Sequence, residues 1–129
     1  MELLKLEIVT PDGLIFSGNV KTVTLPGSEG EFGVYAGHAS LVSLLKAGVV
    51  DIELENAKRE MVAINWGHVK VDEHSVAILA DGAISISHEE SQIADSLEKA
   101  KKLIESMGDS DVALATVTAR IETFARTNK

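Results

Sequence analysis

The 129-residue chain contains no cysteine, which excludes disulfides and thiolate metal sites and favours a reducing compartment such as the cytosol. No apolar run approaches the ~20 residues that a membrane-spanning helix requires, and the opening residues do not resemble an export signal. Basic residues are also scarce, since 12 Lys and Arg oppose 20 Asp and Glu for a formal net charge of -8. That charge repels phosphate backbones, so nucleic acid is not an expected partner.

Short runs of alternating apolar residues dominate the chain from Met1 to Ser87. Turn-forming residues separate the runs at short intervals, and this pattern predicts an antiparallel β-sandwich. Two of the runs follow one another at Leu14 to Val20 and at Thr22 to Leu25. The segments Met61 to Trp66 and Val76 to Ala80 are more continuously apolar, so we expect them to form central strands that are covered on both faces.

Near Ser87 the period of the apolar residues changes from two to between three and four, which is typical of amphipathic helices. Gly108 ends the first predicted helix, and the same period then resumes in a second one. The predicted architecture is therefore mixed but mainly β: an antiparallel β-sandwich domain of residues 1–87 precedes an antiparallel two-helix hairpin of residues 88–129. The apolar stripe of the first helix is Ile93, Leu97, Ala100, Leu103 or Ile104, and Met107, and that of the second is Leu114, Val117, Ile121 and Phe124.

The sequence contains little that supports catalysis or metal binding. Its four histidines never occur in a two-ligand spacing such as i, i+4 on one helix, so no metal site is expected. Gly27, Gly30 and Gly33 superficially resemble a phosphate loop, but no Lys-Ser or Lys-Thr pair follows them. We therefore expect a protein without a catalytic site or a cofactor. A small β-sandwich enzyme with a helical dimerisation hairpin, or a free-standing adaptor module, remains an alternative at this point.

The segment from Gly27 to His38 differs from the rest of the chain. Glu29 and Glu31 are separated by a single glycine, so both carboxylates can project from one exposed loop and meet a basic partner. Phe32 and Tyr35 supply apolar anchorage nearby. A hairpin tip whose acidic residues only keep it solvated is an equally good interpretation of these residues alone.

This segment resembles the signature of the epsilon subunits of F-type ATP synthases, which typically read Gly-Ser-Glu-Gly-Glu, a hydrophobic residue, Gly, and later Pro-Gly-His. Val9-Thr10-Pro11, Phe16-Ser17-Gly18 and Leu79-Ala80-Asp81-Gly82 extend the resemblance over essentially the whole chain. The resemblance implies a non-catalytic subunit of the rotating central stalk, which serves ATP synthesis and ion transport. Its implied partners are the gamma subunit, the c-ring and the alpha/beta catalytic hexamer. Because no basic transit segment opens the sequence, we expect a peripheral position at the cytoplasmic face of a bacterial inner membrane.

The resemblance also assigns roles to individual residues. It implies that Glu29, Glu31 and His38 contact the c-ring, and that Ser28, Gly30 and Gly33 shape the loop that carries them. It further implies that the hairpin inhibits ATP hydrolysis by entering the catalytic hexamer. The cations that it assigns to this contact are Arg120, Arg126 and Lys129.

The sequence departs from the family pattern at two places. Ala36 and Ser40 stand where many relatives have proline, although the charged and glycine positions of the loop are intact. Many relatives also begin the hairpin with a motif that is associated with ATP binding and contains an arginine. Here the stretch Glu89 to Ala94 has Ile93 at that position, so the main charge partner for a phosphate is missing. We therefore expect no nucleotide-binding site.

Overall fold

The computed structural model describes residues 3–56, 58–86, 95 and 98–103. Most of these residues lie in nine strands. No helix within the described ranges is both long and apolar enough to cross a membrane. In chain order the strands are β1 (Leu4–Thr10), β2 (Gly13–Gly27), β3 (Gly30–Tyr35), β4 (Leu41–Leu45), β5 (Gly48–Leu54), β6 (Arg59–Ile64), β7 (Gly67–Val71), β8 (Ser75–Ala80) and β9 (Ala83–Ser85).

Strand β2 is 15 residues long and connects two layers of sheet. Its first half pairs with β1, and its second half pairs with β3 and β5. The pairing with β5 shifts register between Val20 and Thr22, and a bulge of this kind bends a strand. The two successive runs in the sequence are therefore one bent strand, because the bulge changes the direction of the chain without a turn.

The hydrogen-bonded strand order divides into the two layers that β2 connects. One layer contains β4, β7, β8, β1 and the start of β2, and the other contains β3, the end of β2, β5, β6 and β9. At its far end β2 also meets β4, where Gly27 is opposite Leu45. The strands of the first layer and the full length of β2 therefore form a closed circuit of hydrogen-bonded strands, and the predicted sandwich-like, mainly β architecture is confirmed.

The prediction of a wholly antiparallel sheet is wrong for one pair. Strands β1 and β8 run parallel, with Lys5 opposite Ser75 and Val9 opposite Leu79. Antiparallel neighbours are commonly joined by a short turn that the sequence reveals, whereas a parallel pair requires a long crossover. The two strands come from distant parts of the chain, so no local sequence pattern predicts that they run parallel.

A continuous apolar core fills the space between the layers. Every strand from β1 to β8 contributes at least one buried residue, and the fully buried ones include Leu6, Ile52 and Ile78. These side chains come from alternate positions, because successive residues of a strand point to opposite faces. The period-two pattern of the sequence is therefore the pattern of this core.

The segments Met61 to Trp66 and Val76 to Ala80 were both predicted to be covered on both faces, and the structure covers only the first in this way. In β6 the prediction is confirmed, since Val62 and Ile64 join the main core while Met61 and Ala63 are buried on the other side. In β8 it is wrong, because burial alternates and Leu79 is 60% exposed. Nothing among the described residues covers the outer side of β8.

A helical segment, residues 98–103, lies against the outer side of β5 and β6. Ala100 is fully buried there in a second apolar cluster that includes Met61 and Ala63. Ion pairs one helical turn apart, between Asp95 and Lys99 and between Glu98 and Lys102, support the exposed side. The described part of the first predicted helix is thus helical. The predicted second helix lies outside the described residues.

Gly67, the first residue of β7, is a position where close approach of two strands requires glycine. A Cβ atom added there would collide with the carbonyl oxygen of Leu79 and lie 3.0 Å from Cα of Ala80. Both are backbone atoms of the paired strand β8, so they cannot move aside without breaking the pairing. We expect Gly67→Ala to lower the free energy of unfolding by about 1–3 kcal/mol, measured by urea denaturation.

Gly33 in β3 provides a matched control for this substitution. A Cβ added at Gly33 would meet only Oγ1 of Thr24, at 4.0 Å. Gly33→Ala should therefore change the free energy of unfolding by no more than about 0.5 kcal/mol. Equal losses for the two variants would show that the close approach of β7 and β8 is not the reason for Gly67.

Candidate functional site

The turn between β2 and β3 carries two exposed carboxylates, and we call Ser28, Glu29, Gly30 and Glu31 the acidic tip. Ser28 and Glu29 form the turn itself, and Gly27 pairs with Gly30 across it. Gly30 has a φ of 137°, which a residue with a side chain rarely adopts. Glu29 and Glu31 are both exposed, so the two carboxylates lie together at one end of the sheet.

The base of the acidic tip is held against neighbouring strands. The backbone N–H of Ser28 donates to the carbonyl oxygen of Leu44 at 3.0 Å, and that of Lys46 donates to Pro26 at 2.9 Å. A Cβ on Gly27 would lie 2.5 Å from the carbonyl oxygen of Gly30, so the hairpin closes too tightly for any other residue. The tip is therefore fixed in position beside the end of β4.

The structure does not bring His38 to the acidic tip. Strand β3 begins at the tip and ends at Tyr35, and His38 follows in the next loop, where its Nδ1 lies 2.7 Å from the carbonyl oxygen of Ala39. A strand rises about 3.3 Å per residue, so the six residues of β3 separate His38 from Glu29 by roughly 20 Å. Gly33, the third residue assigned to loop shaping, lies inside β3 opposite Thr24.

Apolar side chains are exposed on the outer side of the first layer. Val42 is 72% exposed, Leu44 55% and Leu79 60%. In the sheet register Leu44 is opposite His68, and His68 is opposite Leu79, so three strands place these residues in one row. Together with the exposed side chains near this row, they form what we call the outer apolar face: Leu14, Val42, Leu44, Trp66 and Leu79.

The sequence does indicate the outer apolar face, although the alternation of apolar and polar residues does not by itself identify it. A strand with one buried face needs apolar residues only at every second position. Strand β4 has Val42 and Leu44 in addition to Leu41 and Leu45, and β8 has Leu79 in addition to Ile78. Leu79 was attributed to double coverage within the domain, but it lies on the surface, and the surplus in β4 was not used in the prediction.

A buried asparagine organises one end of the outer apolar face. Asn65 is 4% exposed, and its Oδ1 accepts hydrogen bonds from the backbone N–H groups of Trp66 and Gly82, both at 2.8 Å. Its Nδ2 donates to Oδ2 of Asp81 at 3.1 Å. One side chain therefore fixes the turn between β6 and β7 relative to the turn between β8 and β9.

A pocket of about 340 Å³ opens beside these turns. Its walls are largely apolar, with Asp81 at one side and the Trp66 ring approaching His68 edge-on at a centroid distance of 6.1 Å. Within the ranges that the structure describes, no group of three or more His, Asp or Glu side chains is arranged to hold a metal ion. The pocket is lined by Val9, Thr10, Pro11, Trp66, His68, Leu79, Ala80 and Asp81.

The remaining residues that the resemblance selected lie beyond the described part of the chain. Arg120, Arg126 and Lys129, which were assigned to the catalytic hexamer, all fall outside the described ranges. The same holds for Glu89 to Ala94, the stretch in which Ile93 replaces an arginine. Their roles therefore remain predictions from the sequence.

Comparison with known proteins identifies the family. Residues 3–86 match the family model described as ATP synthase, Delta/Epsilon chain, beta-sandwich domain. An ATP synthase epsilon chain from Nitratiruptor sp. is 58% identical over 127 residues, covering 98% of this chain and 98% of the relative. One from Wolinella succinogenes is also 58% identical over 127 residues, covering 98% and 97%.

Solved structures agree with these sequence matches. A chain in the Euglena gracilis mitochondrial ATP synthase, solved as OSCP/F1/c-ring, is similar with a TM-score of 0.63 and 26% identity, covering 96% of this chain and 76% of that one. A chain in the central stalk and c-ring of the Tetrahymena thermophila enzyme shares the fold, with a TM-score of 0.54 and 13% identity over 82% of this chain and 96% of that one. The chain belongs to the family of ATP synthase epsilon chains, which are non-catalytic subunits of that complex.

Proposed function

We propose that this chain is a central-stalk subunit that couples rotation of the c-ring to the gamma subunit and the catalytic hexamer of a rotary ATP synthase. In this proposal residues 1–87 bind gamma and the c-ring, and residues 88–129 regulate ATP hydrolysis. The subunit sits at the cytoplasmic face of a bacterial inner membrane and is attached only through its partners. The family membership and the similar chain in an assembly with F1 and a c-ring support this role.

The outer apolar face is the observation that carries the proposal. Apolar surface left in water costs roughly 25 cal/mol per Å², and several large apolar side chains exposed on one side of a sheet, as here around His68, are more than scattered single exposures. Interfaces between permanent partners are the more hydrophobic class. We therefore assign the outer apolar face to gamma, the partner that turns together with this subunit.

The acidic tip suits a different kind of contact. Glu29 and Glu31 are exposed, and exposed ion pairs contribute only about 0–1 kcal/mol each. Such pairs set the position and register of a partner more than they hold it. We assign the tip to the c-ring loops, which the family resemblance describes as basic. The backbone bond from Ser28 to Leu44 joins the two surfaces, so a displacement of one is passed to the other.

The regulatory role of residues 88–129 rests on the composition of the second predicted helix and on the small size of the side chain that the described segment buries. That helix is rich in residues branched at Cβ, which lose rotamer freedom in a helix and weaken it. In the described segment, Ala100 is buried against the sheet with a single methyl group as its side chain, and half-buried Leu103 lies beside Gly82. A weakly held hairpin can be redirected by a partner that offers a better groove, and the alpha/beta hexamer is that partner.

Placing a charge on the outer apolar face should disrupt the contact with gamma. Because the side chain of Leu44 is exposed, Leu44→Glu should leave the isolated subunit folded while burying a carboxylate at the interface. We expect the affinity for the α3β3γ assembly to fall about 30-fold or more, measured by surface plasmon resonance. Tyr35→Glu is the matched control, because Tyr35 is 63% exposed on the other layer. Equal affinities for Leu44→Glu and the unmodified subunit would refute the assignment.

Reversing the charge of the acidic tip should weaken coupling to the c-ring. We expect Glu29→Lys with Glu31→Lys to reduce ATP-driven proton pumping in membrane vesicles without unfolding the subunit, since both side chains are exposed. Glu55→Lys with Glu73→Lys makes the same change in net charge at two other exposed positions and should leave pumping intact. If the tip variant pumps as well as this control, the tip does not have the role assigned to it.

Removing the hairpin should release ATP hydrolysis from inhibition. Truncation after Ser87 is expected to raise the hydrolysis rate of the assembled enzyme without abolishing ATP synthesis, because the sandwich domain remains. Replacing Arg120, Arg126 and Lys129 by alanine removes only the charges proposed to hold the hexamer and should raise the rate in the same direction. An unchanged rate in both variants, with each subunit shown to be incorporated, would leave the hairpin a structural role only.

A further inference from the structure

The pocket beside Asn65 has an amphipathic lining that the apolar row next to it lacks. Val9, Pro11 and Leu79 provide its apolar walls. Asp81 is the only carboxylate among the described residues that line it. Asp81 is exposed and one of its oxygens accepts from Asn65, so a purely apolar guest would fill the walls but displace water from this carboxylate without supplying a counter-charge. A guest with an apolar stem and a cationic head would satisfy both parts of the lining.

The carboxylate of the pocket and the backbone that carries the indole ring are held in place relative to one another. Asn65 donates to Asp81 and accepts from the backbone of Trp66, and the backbone N–H of Asp81 donates to the carbonyl oxygen of Trp66 at 3.1 Å. Because these bonds exist without a guest, the two turns need little further ordering when one binds. Preorganisation of this kind increases affinity by lowering the cost of binding.

Trp66 favours a cation of a particular shape. Indole is the aromatic ring that attracts cations most strongly, and a planar guanidinium can stack on a ring while presenting paired donors to a carboxylate. A lysine ammonium is a compact charge that cannot do both at once. The side chains of tryptophan and arginine are also the ones most enriched among the residues that dominate binding energy at interfaces.

We propose that this pocket is the anchor site for one arginine side chain of the gamma subunit. The arginine stem lies along Val9, Pro11 and Leu79, and its guanidinium lies between the Trp66 ring and the Asp81 carboxylate. This inference rests on the proposed function, because the pocket is continuous with the outer apolar face through Trp66 and Leu79. It adds a specific, oriented contact to an otherwise apolar interface, and so fixes the rotation of the two subunits about one another.

Two substitutions test the pocket without disturbing the fold. Asp81→Asn retains an oxygen that can accept the hydrogen bond from Asn65 but removes the charge. Trp66→Leu removes the ring from an exposed turn position while retaining apolar volume. Each should weaken binding to the α3β3γ assembly about tenfold, and Asp81→Asn should also reduce the dependence of affinity on salt concentration. Asp72→Asn is the matched control, because Asp72 precedes β8 at the opposite end of that strand and accepts from Ser40 at 3.5 Å.

Alanine-scanning mutagenesis of the gamma subunit identifies the side chain that occupies the pocket. Each arginine and each lysine of gamma is replaced by alanine and combined with Asp81→Asn in a double-mutant cycle. We expect one arginine variant whose loss of affinity disappears in the Asp81→Asn background, since the partner of that arginine has already been removed. Coupling to a lysine instead, or additive losses for every arginine, would overturn the proposal.

The outcomes separate this inference from the proposed function on which it rests. If Leu44→Glu abolishes binding while Asp81→Asn and Trp66→Leu bind like the unmodified subunit, the pocket has no guest and the outer apolar face still binds gamma. If the unmodified subunit does not bind the α3β3γ assembly at all, the proposed function is refuted, and the anchor site with it. If Asp72→Asn weakens binding as much as Asp81→Asn, the effect is one of net charge and the anchor site is refuted.

Discussion

The two layers of this domain share strand β2, and this connection determines where the acidic tip and the outer apolar face lie. Strand β2 leaves β1 near Val20, bends at the register shift, and continues between β3 and β5. Because no loop joins the layers at this point, the layers cannot slide without breaking pairs on both sides of the bend. The acidic tip lies at the end of this strand, and the outer apolar face lies on the layer that the strand begins.

The coupling role proposed above would use such a connection. Force applied at the acidic tip enters β2 directly, and the hydrogen bond from Ser28 to Leu44 provides a second route into β4. The core beneath both routes is closely packed by residues from eight strands, so a load is shared by many contacts. The helical segment at residues 98–103 lies on the other layer, away from this path, so it can change its contacts without weakening it.

The fold was largely predictable because its core follows a period that the sequence displays. Alternation identified the strands, and the change of period near Ser87 identified the helical residues that the structure describes. The bulge in β2 and the parallel pairing of β1 with β8 were not predictable, since both depend on partners distant in the chain. The exposure of Leu79 was misjudged because the sequence does not distinguish an apolar residue that is covered within its own domain from one that lies on the surface.

The candidate site likewise has one part that the sequence predicts and one part that it does not. The acidic tip was recognisable because its glycines and carboxylates are adjacent in the sequence. The pocket was not, because its residues come from β1, β7 and β8 and from the turns beside them, and only the fold brings them together. Asn65 illustrates the difficulty: a single polar residue at the end of an apolar run gives no indication that it connects two turns.

The parallel pair also determines when the subunit becomes able to assemble. Strand β1 is made first, but its neighbour β8 emerges from the ribosome only after most of the domain has been synthesised. Contacts between such distant residues form late in folding, because the loop between them must first be closed. The outer apolar face and the pocket are built from the strands that this pairing brings together, so an incomplete chain presents neither. The surfaces proposed here to bind gamma therefore become complete only after β8 has been made and has paired with β1.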